Sequence, residues 1–214
     1  MLDLLIIDHI TGHRIGNHKW NAKRRTGYVY IPKCATTSIR KACLHSGYVV
    51  RHKINKRGRY VAVIREPWER YCSGVAQYVE MHHAEASRSL SFAQIVRNVF
   101  IEGRWSTDYN DFHSSDHRLI FDHHTLPQWL YLHPFPRVEL VWMNRHMESN
   151  LTEKLDLQIP LAHYNQSAGR QHDFAEYLDA ALPKILGSEW AWDWQLLFQP
   201  DFDLWRDRST KGTE

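Results

Sequence analysis

Two short segments concentrate the groups that bind and activate anions. The first is YVYIPKCATTSIRKAC, residues 28–43. An apolar stretch runs into Lys33, Cys34, Ala35, Thr36, Thr37 and Ser38, and a helical pattern follows. Backbone N–H groups at a helix start have no intrahelical acceptor, so such a place attracts anions. Lys33 adds a point charge, and the Thr36, Thr37 and Ser38 hydroxyls add donors. This is the chemistry of a phosphate cradle, although the G-x-x-x-x-G-K-[ST] pattern is absent. An ordinary strand–turn–helix with a capping Thr fits the same spacing. The second segment is YVAVIREPWERYCSGVAQY, residues 60–78. Arg65 ends a strand pattern, and the carboxyl ends of strands are where open α/β sheets bind ligands. A helix opened by Pro67 carries Ser73 nearly two turns in, with Arg70 one turn earlier on roughly the same side. Taken alone, Arg65 fits a structural role equally well.

These residues need a frame. Tyr28–Pro32, Tyr48–His52, Tyr60–Arg65 and Val138–Met143 read as strands, rich in β-branched and aromatic residues. Ser38–His45 reads as a helix, with a Thr or Ser cap before it and Gly47 after it. Trp68–His83 reads as a second helix. Further helices are expected from Ser91 to about Ile101, from Asp173 onward, and over Trp190–Phe198. A long polar loop spans Gly103 to about Arg118. Strands alternating with helices predict an α/β fold with a central parallel sheet flanked by helices. No repeat or flexible linker interrupts the chain. One domain is expected over residues 1–214, with its core in about 26–200 and a polar tail after about 206.

The chain has 214 residues, of which 43% are hydrophobic and 24% charged, which excludes disordered and low-complexity classes. Its net charge of +3 is unevenly spread. Residues 13–70 hold 15 of the 27 Lys and Arg but only two acids, Glu66 and Glu69. A field this positive suits a polyanionic partner or cofactor, or simply a solvated basic surface. Three cysteines make no disulfide framework, which fits reduced thiols. No apolar run approaches the roughly 18–20 residues of a membrane span. The start lacks the basic and apolar regions of a signal peptide. A soluble, cytoplasmic chain without membrane partners is expected.

Taken together, IPKCATTS and VIREPWERYCS resemble the paired cofactor motifs of the PAPS-dependent sulfotransferases. The stretch DHHTLPQ, residues 122–128, is similar to the H-x-x-P-Q element of the carbohydrate (Golgi-type) members. HYNQS, residues 163–167, resembles their H-x-N-x-S element, and WAWDWQLLF is similar to the family's final Asp-aromatic helix. The resemblance implies a P-loop-NTPase-like three-layer fold. It also implies that Lys33 to Ser38 grip the 5′-phosphosulfate of 3′-phosphoadenosine 5′-phosphosulfate (PAPS), and that Arg65 and Ser73 grip its 3′-phosphate. The family's usual Gly in the first loop is Ala35 here, as in some carbohydrate-type members. The paired cysteines and membrane anchor of Golgi enzymes are missing, which points to a bacterial or viral type of cytoplasmic member.

The implied activity is transfer of a sulfuryl group to a hydroxyl acceptor, with a carbohydrate as the expected class and no nucleic acid as partner. By analogy with phosphoryl transfer, positioning and electrostatics dominate, and Lys33 is expected on the leaving side. The base on the acceptor side is expected to be a histidine. His52 follows the second strand, where several family members place their base, and His124 lies in the H-x-x-P-Q stretch. No metal is required. His113, His117, Asp122, His123 and His124 are the alternative, a zinc-type cluster. Two competing readings are a P-loop-like kinase and a non-catalytic nucleotide- or nucleic-acid-binding module. Trp105, Tyr109 and Trp129 are candidates for a carbohydrate platform.

Overall fold

The computed structural model describes residues 18–82, 124–161 and 193. The chain divides into two compact units. One comprises Arg14–Glu66, Pro127–Tyr164 and Trp192–Glu214, and the other comprises Met1–His13, Pro67–Leu126 and Asn165–Ala191.

The first unit holds a five-stranded sheet. Its strands are β1 (His18–Asn21), β2 (Thr26–Val29), β3 (Val49–Arg51), β4 (Arg59–Ile64) and β5 (Val138–Trp142). Helix α1 (Thr36–His45) lies between β2 and β3 in the chain. The second unit contributes α2 (Pro67–His82). Helices α3 (Gln128–Leu132) and α4 (Met147–Leu155) belong to the first unit.

The sheet order is β3-β1-β2-β4-β5. Strands β2, β4 and β5 are parallel, as the strand–helix alternation predicts. The sheet as a whole is mixed, not parallel, because β1 pairs antiparallel with both β2 and β3. No sequence signal marks β1. Its residues, HKWN, have no β-branched member and no alternation. The hairpin to β2 also lacks the Asn-Gly or Asp-Gly signal of a tight turn. Its left-handed residue is Arg25, at φ 53°. Asn21 organises the turn instead, its Oδ1 accepting the Arg24 N–H at 3.1 Å.

One face of the sheet is aromatic. Trp20 and Tyr60 flank Gly27 in a single cross-strand row. Their ring centroids are 5.6 Å apart. A Cβ on Gly27 would stand 2.7 Å from the Tyr60 ring, so the absent side chain is what lets the two rings meet. His18 and Phe135 extend this cluster, each ring 4.7–5.3 Å from its neighbours Tyr60 and one another. Buried Lys19 and Tyr28 lie at the alternate positions of β1 and β2, facing the other side. Arg40 of α1 stacks over Tyr30 at 5.1 Å, a contact worth about 0.5–1 kcal/mol at an exposed site. The end of α4 is tied to the α1–β3 connection. Tyr48 donates to the Leu155 carbonyl at 2.7 Å, and the Gln158 N–H donates to Ser46 Oγ at 2.8 Å.

Among the described residues, no helix is long and apolar enough to cross a membrane. The expected helices after residue 82 near Ser91, Asp173 and Trp190, the loop from Gly103 and the tail lie outside the described residues, apart from Asp193. So do His113, His117, Asp122, His123, Trp105, Tyr109 and the HYNQS stretch.

Candidate anion-binding site

Because β1 is antiparallel to both β2 and β3, those two strands run the same way, as do β4 and β5. Four carboxyl ends therefore share one sheet edge. The loop from Tyr30 to Ala35 leaves β2 there, His52 leaves β3, and Arg65 leaves β4. His52 is exposed. With β1 intervening, β3 stands two strand spacings from β2, roughly 9–10 Å.

The loop is unusual in its backbone. Lys33 has φ 67° and Ala35 has φ 54°, both left-handed, while Cys34 between them does not. Left-handed residues in a turn aim N–H groups at one concave side, the geometry of an anion-binding nest. The helix then starts at Thr36, with Ala35 as its N-cap and no capping side-chain hydrogen bond. The Thr or Ser cap expected from sequence is not what the chain uses. The Thr36 hydroxyl turns back and donates to the Ile31 carbonyl at 2.5 Å, closing the loop. The same carbonyl accepts the Cys34 N–H at 3.3 Å. Thr37 is exposed and Ser38 is buried. Burial, with Cys34 nearby, pushes the Tyr28 phenol well above its ordinary range.

Arg65 is fixed through its backbone. Its N–H donates to Gln128 Oε1 at 3.0 Å, and Gln128 Nε2 donates back to the Arg65 carbonyl at 2.8 Å. The Cys34 thiol donates to the same Gln128 Oε1 at 3.5 Å. Gln128 is 1% exposed. It opens α3, whose N-cap position is Pro127, a residue with no capping side chain. The buried Asp193 carboxylate supplies the cap, accepting the Gln128 N–H at 2.7 Å and the Trp129 N–H at 2.9 Å.

Charge in this unit is one-sided. Residues 18–66 contain 13 Lys and Arg and one acid, Glu66. Arg24 pairs with Asp156, and Arg59 with Glu139 at 3.6 Å. Both acids come from beyond β5's start, so the loop and strand ends keep a positive surround.

Ser73 and His124 belong to the other compact unit. Ser73 is 2% exposed on α2. Arg70, fully buried one turn earlier, donates from Nη1 to the Leu126 carbonyl at 2.5 Å. Gly74 meets the backbone of His124, where a Cβ would lie 2.4 Å from its carbonyl oxygen. The Arg70–Gly74 face of α2 thus holds the segment His124–Leu126 against it.

The structure brings together Lys33–Ser38 and Arg65. It puts His52 on the same edge two strands away. Gln128 and Asp193 fall within the DHHTLPQ and WAWDWQLLF stretches, and no local signal marks either as a site residue. Their hydrogen bonds span 63 to 94 positions of sequence, which no local pattern reveals. Among the described residues, no group of three His, Cys, Asp or Glu side chains is placed to hold a metal ion. No family model, curated protein or solved structure matches the chain.

Proposed function

We propose that this chain is a PAPS-dependent sulfotransferase that transfers a sulfuryl group to a hydroxyl of a carbohydrate acceptor. One observation carries the reading. A single side-chain oxygen, Gln128 Oε1, is 3.5 Å from Cys34 Sγ and 3.0 Å from the Arg65 nitrogen. The Lys33–Ser38 loop and Arg65 therefore lie side by side at one sheet edge, as grips on the two anionic ends of one ligand must. The uncapped helix start and the left-handed residues 33 and 35 add support, since both favour a bound anion.

In this reading the loop Lys33 to Ser38 holds the 5′-phosphosulfate, and Arg65 holds the 3′-phosphate. Lys33 neutralises charge developing on the leaving phosphate, and His52 takes the acceptor proton. The fold is then a variant of the P-loop-like three-layer arrangement, with β1 inserted between β2 and β3, in a cytoplasmic protein. No step assigns a role to a divalent metal.

The test is titration calorimetry with 3′-phosphoadenosine 5′-phosphate, adenosine 5′-phosphate and ATP. The 3′-phosphate should raise affinity strongly. Arg65→Ala should remove about 2–4 kcal/mol of it, as for other desolvated charge-assisted pairs. With PAPS and a panel of sugars, Lys33→Ala should lower kcat by about 10²–10³-fold, and EDTA should leave turnover unchanged. Equal affinity with and without the 3′-phosphate, or preference for ATP, refutes the reading.

A further inference from the structure

We propose that Gln128 is a positioning residue that locks the anion loop and Arg65 together, so that the two grips form or fail as one. The ligand half of this proposal rests on the cofactor reading above; the structural half does not. The carboxamide spends its capacity on two separate segments. Oε1 accepts from Arg65 N–H and from the Cys34 thiol, while Nε2 donates to the Arg65 carbonyl. An amide in this pose pairs with both the N–H and the C=O of one residue, as a neighbouring strand would, and so prolongs the order of β4 past Ile64. It does so while touching the middle residue of the left-handed pair, Cys34, which is fully buried. The amide cannot drift, because its own backbone N–H is held by Asp193, as is that of Trp129. A buried amide whose partners are removed leaves several polar groups without bonds, so the arrangement is cooperative.

Two variants test it. Gln128→Met keeps the volume and removes the donor and the strong acceptor. Amide hydrogen exchange should then rise in both segments, residues 31–36 and 63–66, while α4 stays protected. Affinity for 3′-phosphoadenosine 5′-phosphate should fall about 10–100-fold. Gln128→Glu supplies the finer readout. A protonated carboxyl reproduces the amide, its O–H donating to the Arg65 carbonyl and its C=O accepting the Arg65 N–H. Ionisation removes the donor and puts a negative charge beside the anion loop. Burial raises the carboxyl's pKa, so Gln128→Glu should bind close to wild type near pH 5.5 and at least about tenfold more weakly than wild type near pH 8.5. Exchange that rises in only one segment, or in neither, overturns the coupling. A Gln128→Glu variant whose exchange and affinity follow the wild-type pH profile overturns it as well. Should the wild-type chain not bind the nucleotide at all, the cofactor reading falls, and the exchange data on both variants still decide the role of Gln128.

Discussion

Replacing Ala35 by glycine should stabilise the protein, against the usual sign of an alanine-to-glycine change. Ala35 sits at φ 54° and ψ 20°. An L-residue in that conformation carries a penalty of about 1–2 kcal/mol from its Cβ against the carbonyl oxygen. Glycine carries none, but loses roughly 0.5–1 kcal/mol more backbone entropy on folding than alanine does. The difference favours Ala35→Gly by about 0.5–1 kcal/mol. Position 35 is also the N-cap of α1, where glycine outranks alanine by a further increment. For a chain of this size the melting temperature should rise by about 1–4 °C, with a higher urea midpoint and an unchanged denaturant slope. Ala42→Gly is the matched control. It lies in the same helix, is buried and has ordinary helical geometry, so it should lose about 1 kcal/mol or more. A stabilised Ala35→Gly should at the same time bind 3′-phosphoadenosine 5′-phosphate several-fold more weakly, because a freer loop must be ordered on binding. If Ala35→Gly is destabilised like the control, residue 35 is not left-handed in solution, and the nest argument fails with it.

Gly74→Ala should destabilise by at least about 2 kcal/mol, although Gly to Ala inside a helix normally gains about 1 kcal/mol. The new Cβ would lie 2.4 Å from the His124 carbonyl oxygen, a backbone atom that cannot swing aside; urea denaturation measures it. Asp193→Ala should cost about 2–3 kcal/mol through two buried N–H groups left without an acceptor, and Asp193→Asn should recover part of that in the same assay. Alkaline stability should depend on Cys43, whose thiol burial pushes up to about 12 from its ordinary 9.0. The unfolded chain gives up that proton first. The stabilisation is therefore complete below about pH 9 and lost as pH climbs toward 12. Tyr48, also raised to about 12, adds to the loss above pH 10. Lys19, lowered by burial and by Arg40, works in the opposite sense just below pH 10.5. Melting temperatures between pH 8 and 11 should fall less steeply in Cys43→Ala than in wild type; parallel curves would remove Cys43 from the account.

What could be read from the sequence followed strong local signals. The run YVAVI and the Pro67 after it gave β4 and α2 with boundaries close to Arg59–Ile64 and Pro67–His82. Val138–Trp142 was equally legible. Strand β2 is displaced, Thr26–Val29 where Tyr28–Pro32 was expected. Tyr30 and Ile31 look like strand residues, but the left-handed turn at Lys33 draws them into the loop. Strand β1 was illegible because its stability is tertiary. HKWN is a strand through its pairing with β3, the Trp20–Tyr60 contact across Gly27 and the hairpin set by Asn21. Missing it hid the antiparallel pairs, and so the mixed character of the sheet.

The site divides along the same line. Lys33–Ser38 and Arg65 announce themselves by residue type and by their place after strands. Gln128 and Asp193 do not, since an amide and a carboxylate in an aromatic context fit many roles until the chain folds. The capping rule that predicted a Thr or Ser at the helix start failed for a definite reason. Thr36 has the right hydroxyl but donates it to the Ile31 carbonyl, and Ala35 takes the cap position with only a methyl. A mere connection between β2 and α1 would be more stable with glycine at positions 33 and 35. The chain instead carries two left-handed residues with side chains, an uncapped helix start and a buried glutamine holding both segments, all at one edge of a basic sheet. The left-handed residues and the uncapped helix start are locally unfavourable, and such departures cluster where a ligand compensates them. An anion bound at the loop would meet the α1 N-terminus and neutralise the excess positive charge of residues 18–66, and ligand-induced stabilisation should therefore be largest at low salt.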